Sequence, residues 1–117
     1  MVHNFRSYLR PVRRRWGFTQ AEMAFLLGFR TGKSISRIEA LKQTPTLKVT
    51  FSCAIIFNEA PAKLFPGAIL EAEQLILRRA RELHEQLQGD PSKVTRIKLD
   101  FLEALLARLE QRLDRRT

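Results

Sequence analysis

The 117-residue sequence has little of what a disulfide-bonded protein, a metalloprotein or a membrane protein needs. It contains one cysteine, Cys53, which excludes an internal disulfide. Its two histidines, His3 and His84, lie too far apart for the usual spacing of metal ligands. No apolar run reaches the roughly 18 residues of a membrane span. The sequence therefore predicts no metal, no cofactor and no transmembrane segment.

Groupings that carry catalysis or export are missing as well. The sequence has no Ser/His/Asp or Cys/His grouping and no glycine-rich phosphate loop. The acids of the C-terminal part alternate with arginines, as ion pairs on helix surfaces do. The first ten residues are basic but lack the apolar segment of a secretory signal. We therefore expect a cytoplasmic protein that is not an enzyme.

What the sequence does have is enough apolar material for a core and a positive charge concentrated in its first part. It is 44% hydrophobic and 28% charged, and its length fits one domain or a small domain with an appendage. Residues 1–67 carry eleven Lys or Arg against three acids, a balance of +8, whereas residues 68–117 carry ten against nine, a balance of +1. The first part has the charge of a protein that meets a polyanion, although many basic proteins bind nothing specific.

Cap and glycine signals predict three short helices in this basic part. Gly17 and Gly28 suit the positions just after helices 1 and 2. Thr19 and Glu22 have the spacing of a capping box at the start of helix 2, and Thr31 can cap helix 3. Helix 1 ends at Trp16, helix 2 runs from Gln20 to Leu27 and helix 3 from Thr31 to about Leu41; the residues expected to face the core are Leu9, Val12, Met23, Leu26, Leu27, Ile35 and Ile38.

The most apolar stretch, LKVTFSCAIIF at residues 47–57, allows a buried strand or a helix. Its length and the preceding Thr46 favour a capped helix nearly surrounded by other helices. Residues 61–65 predict one further turn, closed by Pro66-Gly67. Cys53 is expected to be a small hydrophobe, with a redox sensor as the alternative. The aromatic residues expected in the core rather than stacked on bases are Trp16, Phe18, Phe25, Phe51 and Phe57.

Residues 68–117 predict two longer helices that form an antiparallel hairpin. The first runs from Ala68 to Gln88, and residues 89–91 (Gly-Asp-Pro) supply a terminal glycine, a cap and a helix-starting proline. The last helix has a wider apolar face than a solvent-facing helix should show, which favours a dimer; packing on the same chain or binding another protein are the alternatives. The residues predicted to form the dimer contact are Ile97, Phe101, Leu102, Leu105, Leu106, Leu109 and Leu113.

An ordered series of short motifs runs through the first part of the chain. The motifs are Gly17-Phe18-Thr19-Gln20, Ala21-Glu22-Met23-Ala24, Leu27-Gly28, Ser34-Ile35-Ser36-Arg37-Ile38-Glu39, Pro45-Thr46-Leu47 and Lys63-Leu64-Phe65. From residue 9 to residue 67 the sequence thereby resembles the Cro/phage-repressor helix-turn-helix family, also called the xenobiotic-response-element family. We predict an all-α protein with a five-helix, repressor-like helix-turn-helix domain at residues 1–67 and a C-terminal two-helix hairpin at residues 68–117.

The resemblance implies which residues meet DNA. Helix 3 would enter the major groove, with Arg37 as the best candidate for guanine and Lys33 as either a base contact or a phosphate contact. Gln20, at the start of helix 2, would donate its amide to a phosphate. The alternative for each is a solvated side chain, and the run Arg13-Arg14-Arg15 is expected to be a solvated face. The predicted base-edge residues are Lys33, Ser34 and Arg37, and the predicted phosphate residues are Thr19, Gln20, Lys42, Gln43 and Thr44.

The function that follows from the resemblance is a sequence-specific regulator of transcription that binds double-stranded DNA. A repressor acting as a homodimer on an inverted repeat is expected, in a bacterial or phage setting and associated with the nucleoid. An antitoxin-like or adaptor protein, whose C-terminal helices bind another protein, is the alternative. RNA binding is disfavoured because the sequence predicts no sheet with aromatic platforms.

Overall fold

Seven helices make up the regular structure, and residues 6–116, which this computed structural model describes, contain no strand. The prediction of an all-α protein is confirmed. The helices are α1 (Leu9–Arg15), α2 (Gln20–Leu27), α3 (Lys33–Glu39), α4 (Leu47–Phe57), α5 (Pro61–Leu64), α6 (Pro66–Gln86) and α7 (Lys93–Arg116). The chain divides into two compact units between Ile69 and Leu70, here called unit 1 and unit 2.

Side-chain caps and left-handed residues determine where the helices of unit 1 begin and end. Thr19 Oγ1 accepts the backbone N–H of Glu22 at 3.0 Å, and Glu22 Oε1 accepts that of Thr19 at 2.9 Å, so the predicted capping box is present. Gly17 and Gly28, both with positive φ, follow α1 and end α2. Thr46 caps α4 by accepting the backbone N–H three residues further on, at 3.2 Å.

The core of unit 1 draws on five helices and on the residue that follows α5. Met23 and Ala24 of α2 meet the inner face of α3, where Ile35 and Ile38 are buried as predicted. The predicted helix α4 is present, and it contributes its inner face. The buried apolar residues of this core are Leu9, Met23, Ala24, Ile35, Ile38, Val49, Cys53, Leu64 and Phe65.

Unit 1 is closed by a contact between its two ends. The backbone N–H of Tyr8 donates to Leu64 O at 2.7 Å, and the N–H of Gly67 donates to Arg6 O at 2.9 Å. A Cβ at position 67 would lie 2.9 Å from the Arg6 Cα and O atoms, so this position requires glycine. Residues 66–67 therefore do not close a turn, as the sequence predicted, but begin α6.

The prediction that five aromatic residues lie in the core is largely wrong. Phe25 on α2 is 82% exposed, and Trp16, Phe18 and Phe51 are exposed as well, whereas Phe57 is partly buried against the core. Leu26, also predicted to be buried, is about half exposed. A short helix in a five-helix unit meets neighbours on one side only, so apolar residues on its other side remain in solvent. For the same reason α4 is not surrounded by other helices.

Unit 2 is an antiparallel pair formed by α7 and the part of α6 after Ile69. Ion pairs join the two helices, and their partners move back along α7 as the chain advances along α6. Glu73 contacts Arg112 Nε at 2.8 Å and Arg116 at 2.6 Å, while Arg81 contacts Glu110 at 3.1 Å. Glu73 is buried, and its two arginine partners supply the charge that a buried carboxylate needs. The buried apolar residues are Ala80, Leu102 and Leu109.

The start of α7 differs from the prediction of an Asp90 cap followed by Pro91 as the first helical residue. Ser92 is the cap, because its hydroxyl oxygen accepts the backbone N–H of Thr95 at 3.1 Å and the helix begins at Lys93. Asp90 supports this cap: its carboxylate accepts the Ser92 N–H at 3.0 Å and the Thr95 hydroxyl at 2.8 Å. These two hydrogen bonds, the Ser92 bond first, hold the pKa of Asp90 below its ordinary value.

Candidate nucleic-acid interface

The predicted base-edge residues share one face of α3. Lys33 and Arg37 are exposed and Ser34 is partly buried, while Ile35 and Ile38 point into the core. Positions three and four apart are neighbours on a helix surface, so the three polar side chains form one group. Neither Lys33 nor Arg37 has an ion-pair partner among residues 6–116.

The connection before α3 passes close to the first turn of α2. A Cβ on Gly32 would lie 3.2 Å from Gln20 Cβ and 3.4 Å from its carbonyl carbon. Gly32 therefore lets the start of α3 approach the start of α2, which brings Lys33 near Gln20 in the fold. α3 begins at Lys33, two residues later than predicted, and Thr31 only accepts the Lys33 N–H at 3.4 Å.

The segment after α3 is held against the end of that helix. The carbonyl of Arg37 accepts the backbone N–H of Lys42 at 2.9 Å and that of Gln43 at 3.3 Å. Leu41 adopts a left-handed φ of 52°, which costs a residue with a side chain roughly 1–2 kcal/mol. This turn ends α3 at Glu39 and fixes two of the predicted phosphate residues beside Arg37. Lys42 and Thr44 are exposed, and Gln43 is partly buried.

A buried carboxylate on α3 joins the first three helices, and sequence reasoning missed it. Glu39 accepts hydrogen bonds from Arg13 Nε at 2.6 Å and from Arg10 Nε at 3.2 Å, both on α1. It also accepts one from the amide of Gln20 on α2 at 3.1 Å. Arg13, predicted to be solvated, is buried and donates a further bond to Phe18 O at 2.7 Å. The interpretation of residues 13–15 as a solvated face is therefore wrong for Arg13 and holds for its two neighbours, which are exposed.

The charge state of Glu39 follows from this environment. Burial alone raises the pKa of the carboxyl group, but the hydrogen bonds from Arg13, Gln20 and Arg10 and the charge of Arg13 outweigh it. The net pKa lies below the ordinary value, so Glu39 is ionised at neutral pH. A signal for this cluster existed in the sequence: Arg13 follows Leu9 by four residues, and Glu39 follows Ile35 by four, so both charges lie on core-facing positions.

The cluster also settles the orientation of two predicted phosphate residues. One N–H of the Gln20 amide donates to Glu39, which leaves the second N–H for another acceptor. The hydroxyl oxygen and backbone N–H of Thr19 serve the capping box, so its hydroxyl hydrogen is the group left for a phosphate. The first turn of α2 thus presents polar hydrogens from these two residues.

The predicted dimer residues on α7 fall into two groups. Leu102 and Leu109 are buried in the chain itself, and Leu105, Leu106 and Leu113 are partly buried. Ile97 and Phe101 are exposed, at 69% and 62%, together with the preceding Val94 at 61%. The surface left for a partner is therefore the first two turns of α7, not the leucine edge further along.

Other kinds of site are not formed by the described residues. Residues 6–116 contain no cluster of His, Cys, Asp and Glu suited to a metal ion. None of their helices is both long and apolar enough to cross a membrane. Cys53 is buried, and burial raises the pKa of its thiol to about 11. It therefore lacks the thiolate character of a redox sensor.

No protein-family model matches the chain, and neither the curated proteins nor the solved structures contain a match. The resemblance drawn from the ordered motifs therefore stays a prediction.

Proposed function

We propose that the protein is a sequence-specific regulator of transcription that binds double-stranded DNA through α2 and α3, which form a helix-turn-helix. The observation that carries the proposal is the outer face of α3, where Lys33 and Arg37 are exposed and unpaired in a unit of strongly positive charge. A major groove accepts one α-helix, and cations without partners on its outer face suit contacts with phosphates and base edges.

In this proposal each polar group has a distinct role. Arg37 donates two hydrogen bonds to the O6 and N7 atoms of a guanine, a contact that discriminates by about 1–3 kcal/mol. Lys33 and Ser34 flank it on base edges. The phosphate contacts come from the start of α2 and from the segment held against the end of α3, namely Thr19, Gln20, Lys42, Gln43 and Thr44. Because Glu39 fixes the amide of Gln20, this donor is oriented before DNA arrives.

The regulator acts as a homodimer on an inverted repeat. One recognition helix contacts too few base pairs to select a site among ~10⁶ or more genomic positions, so two linked copies are needed. A two-fold dimer places its half-sites about 34 Å apart on one side of the duplex. The exposed Ile97 and Phe101 supply the dimer contact in unit 2, and the action is repression in the bacterial or phage cytoplasm, as the family resemblance implies.

Selection of bound DNA from a random pool tests base recognition. The parent chain is expected to enrich an inverted repeat, with binding that weakens by a log–log salt slope near −0.9 per phosphate neutralised. Arg37→Ala should relax the preference at one position of each half-site. Arg108→Ala is the control, because it removes the same charge from an exposed position of α7. No enriched motif, or the same motif with Arg37→Ala, would refute the proposed role of Arg37.

Sedimentation of the full chain tests the dimer contact. Replacing both Ile97 and Phe101 with Glu should give monomers that remain helical, because neither side chain is part of the core. The equivalent change at Leu102 would be uninformative, since that residue is buried and its replacement would unfold the hairpin. A double variant that still dimerises removes this surface as the contact.

The antitoxin-like or adaptor function keeps one observation in its favour. The exposed apolar start of α7, with Val94, Ile97 and Phe101, fits another protein as well as a second copy. A parent chain that stays monomeric at micromolar concentration would favour that function over a homodimeric repressor.

A further inference from the structure

Helix α4 is apolar on two opposite faces, but the chain covers only one of them. Val49 and Cys53 are buried on the inner face. On the opposite face Leu47, Phe51 and Ile55, here called the α4 stripe, are 69%, 52% and 80% exposed. At 100° per residue the centres of the two faces lie about 180° apart. A helix that is apolar all round is normally covered all round, so the α4 stripe has the character of a contact surface.

The polar residues beside the α4 stripe are prepared for burial. Thr50 Oγ1 donates to Thr46 O at 2.9 Å, and Ser52 Oγ donates to Lys48 O at 2.7 Å. Both hydroxyl hydrogens are satisfied within the helix and need no water. Covering this face would therefore leave no hydroxyl hydrogen without a partner.

Charge favours a second copy of the chain as the molecule that covers this face. Two copies of unit 1 repel each other over most of their surfaces, because residues 1–67 carry a balance of +8. Within α4 the only charged residue is Lys48. The α4 stripe is therefore a place where two copies can approach with little repulsion.

The spacing of the α4 stripe is self-complementary. Its members are four residues apart on each side of Phe51, with one aliphatic residue at either end. A two-fold axis at Phe51 places each Leu47 against the second copy's Ile55 and sets the two Phe51 rings together. We propose that the α4 stripe is a contact surface between two copies of this chain, packed antiparallel across such an axis. This contact lies outside the DNA-binding face and the hairpin contact proposed above.

The area limits how strong this contact is. With side chains of about 150–250 Å² each, the exposed fractions leave roughly 350 Å² of apolar surface per copy. A stable interface buries about 800 Å² per partner. The α4 contact alone is therefore weak, and it adds to an association that another surface has already brought about. It pairs two copies of unit 1 once the chains are held together.

Cysteine pairing tests the geometry in the full chain without DNA. Leu47→Cys and Ile55→Cys are made separately, and oxidation of their equimolar mixture should give a disulfide-linked heterodimer. Either variant alone should link poorly, because identical positions lie about 12 Å apart along the paired helices, beyond the roughly 7 Å between Cα atoms that a disulfide spans. The parent chain controls for Cys53, which is buried. Equal linking of each variant with itself overturns the antiparallel arrangement, as does no linking in the mixture.

A charge change at the axis tests the energetics. Phe51→Glu sets two like charges against each other, so the association constant measured by sedimentation should fall by about tenfold or more. Mixing this variant with Phe51→Lys should restore association. Phe25→Glu, at an exposed aromatic residue on α2, is the matched control and should leave association unchanged. A parent that never associates, or a Phe51→Glu variant that associates like the parent, overturns the proposal whether or not the protein binds DNA.

Discussion

Glu39→Gln is the substitution with the largest expected effect on the stability of unit 1. The Glu39 side chain is 1% exposed and Arg13 is 7% exposed, with 2.6 Å between Arg13 Nε and Glu39 Oε2. A neutral amide leaves the buried guanidinium without a counter-charge and replaces one acceptor oxygen by a donor. Removing one partner of a buried pair costs about 3–5 kcal/mol. In a unit of this size that corresponds to a fall in Tm of roughly 10 °C or more.

The pH dependence of this effect gives a second readout. The folded-state pKa of Glu39 lies below its unfolded value of 4.5, so the unfolded chain binds more protons near that pH. The stabilisation from Glu39 is complete above pH 4.5 and is lost as the pH falls through the lower folded-state pKa. The difference in unfolding free energy between the parent and Glu39→Gln should therefore be constant near neutrality and shrink on acidification.

Urea unfolding at several pH values, followed by circular dichroism, measures both effects. Glu110→Gln is the matched control, because its ion pair with Arg81 is about half exposed on both sides and such pairs contribute about 0–1 kcal/mol. A Glu39→Gln variant within 1 kcal/mol of the parent at pH 7 would refute the argument. A difference that does not change between pH 7 and pH 3 would refute the assignment to an ionised carboxylate.

Two further predictions concern single side chains. Ser92→Ala should destabilise the α6–α7 pair by about 1 kcal/mol, because Ser92 caps α7, whereas Lys93→Ala should have little effect; equal thermal shifts in the two variants would contradict the assignment of the cap. The thiol of Cys53 should react slowly with a thiol reagent in the native protein and rapidly in denaturant, since it is buried with a pKa of about 11, and fast native labelling would show that α4 opens.

Local signals in the sequence predicted the helices well. The capping box at Thr19 and the cap at Thr46 placed the starts of α2 and α4, because a cap is a hydrogen bond over three residues and needs nothing from the rest of the chain. The alternation of core and surface positions correctly placed Ile35 and Ile38. Boundaries that depend on competing local bonds were less predictable, as at Ser92, which takes the capping position expected for Asp90.

Burial and ion pairing depended on the fold and could not be predicted from local pattern alone. Phe25 and Phe51 are as apolar as core residues, and only the arrangement of neighbouring helices shows that nothing in the chain covers them. Glu39 and Arg13 are 26 residues apart, and each looks like an ordinary surface charge until the helices pack. For the candidate site, the outward positions of Lys33 and Arg37 followed from helical periodicity, whereas the bond that orients Gln20 did not.

The end-to-end closure of unit 1 has a consequence for the order in which it folds. α2 and α3 are neighbours in sequence, so their contact closes a short loop, whereas the bonds from Arg6 to Gly67 and from Tyr8 to Leu64 close loops of almost the whole unit. Loop-closure entropy grows with length, and long-range contacts slow folding. On the ribosome, the α2–α3 pair is therefore available to form early. The amino-terminal strap, residues 6–8, has to wait for residue 67 to emerge before the unit locks.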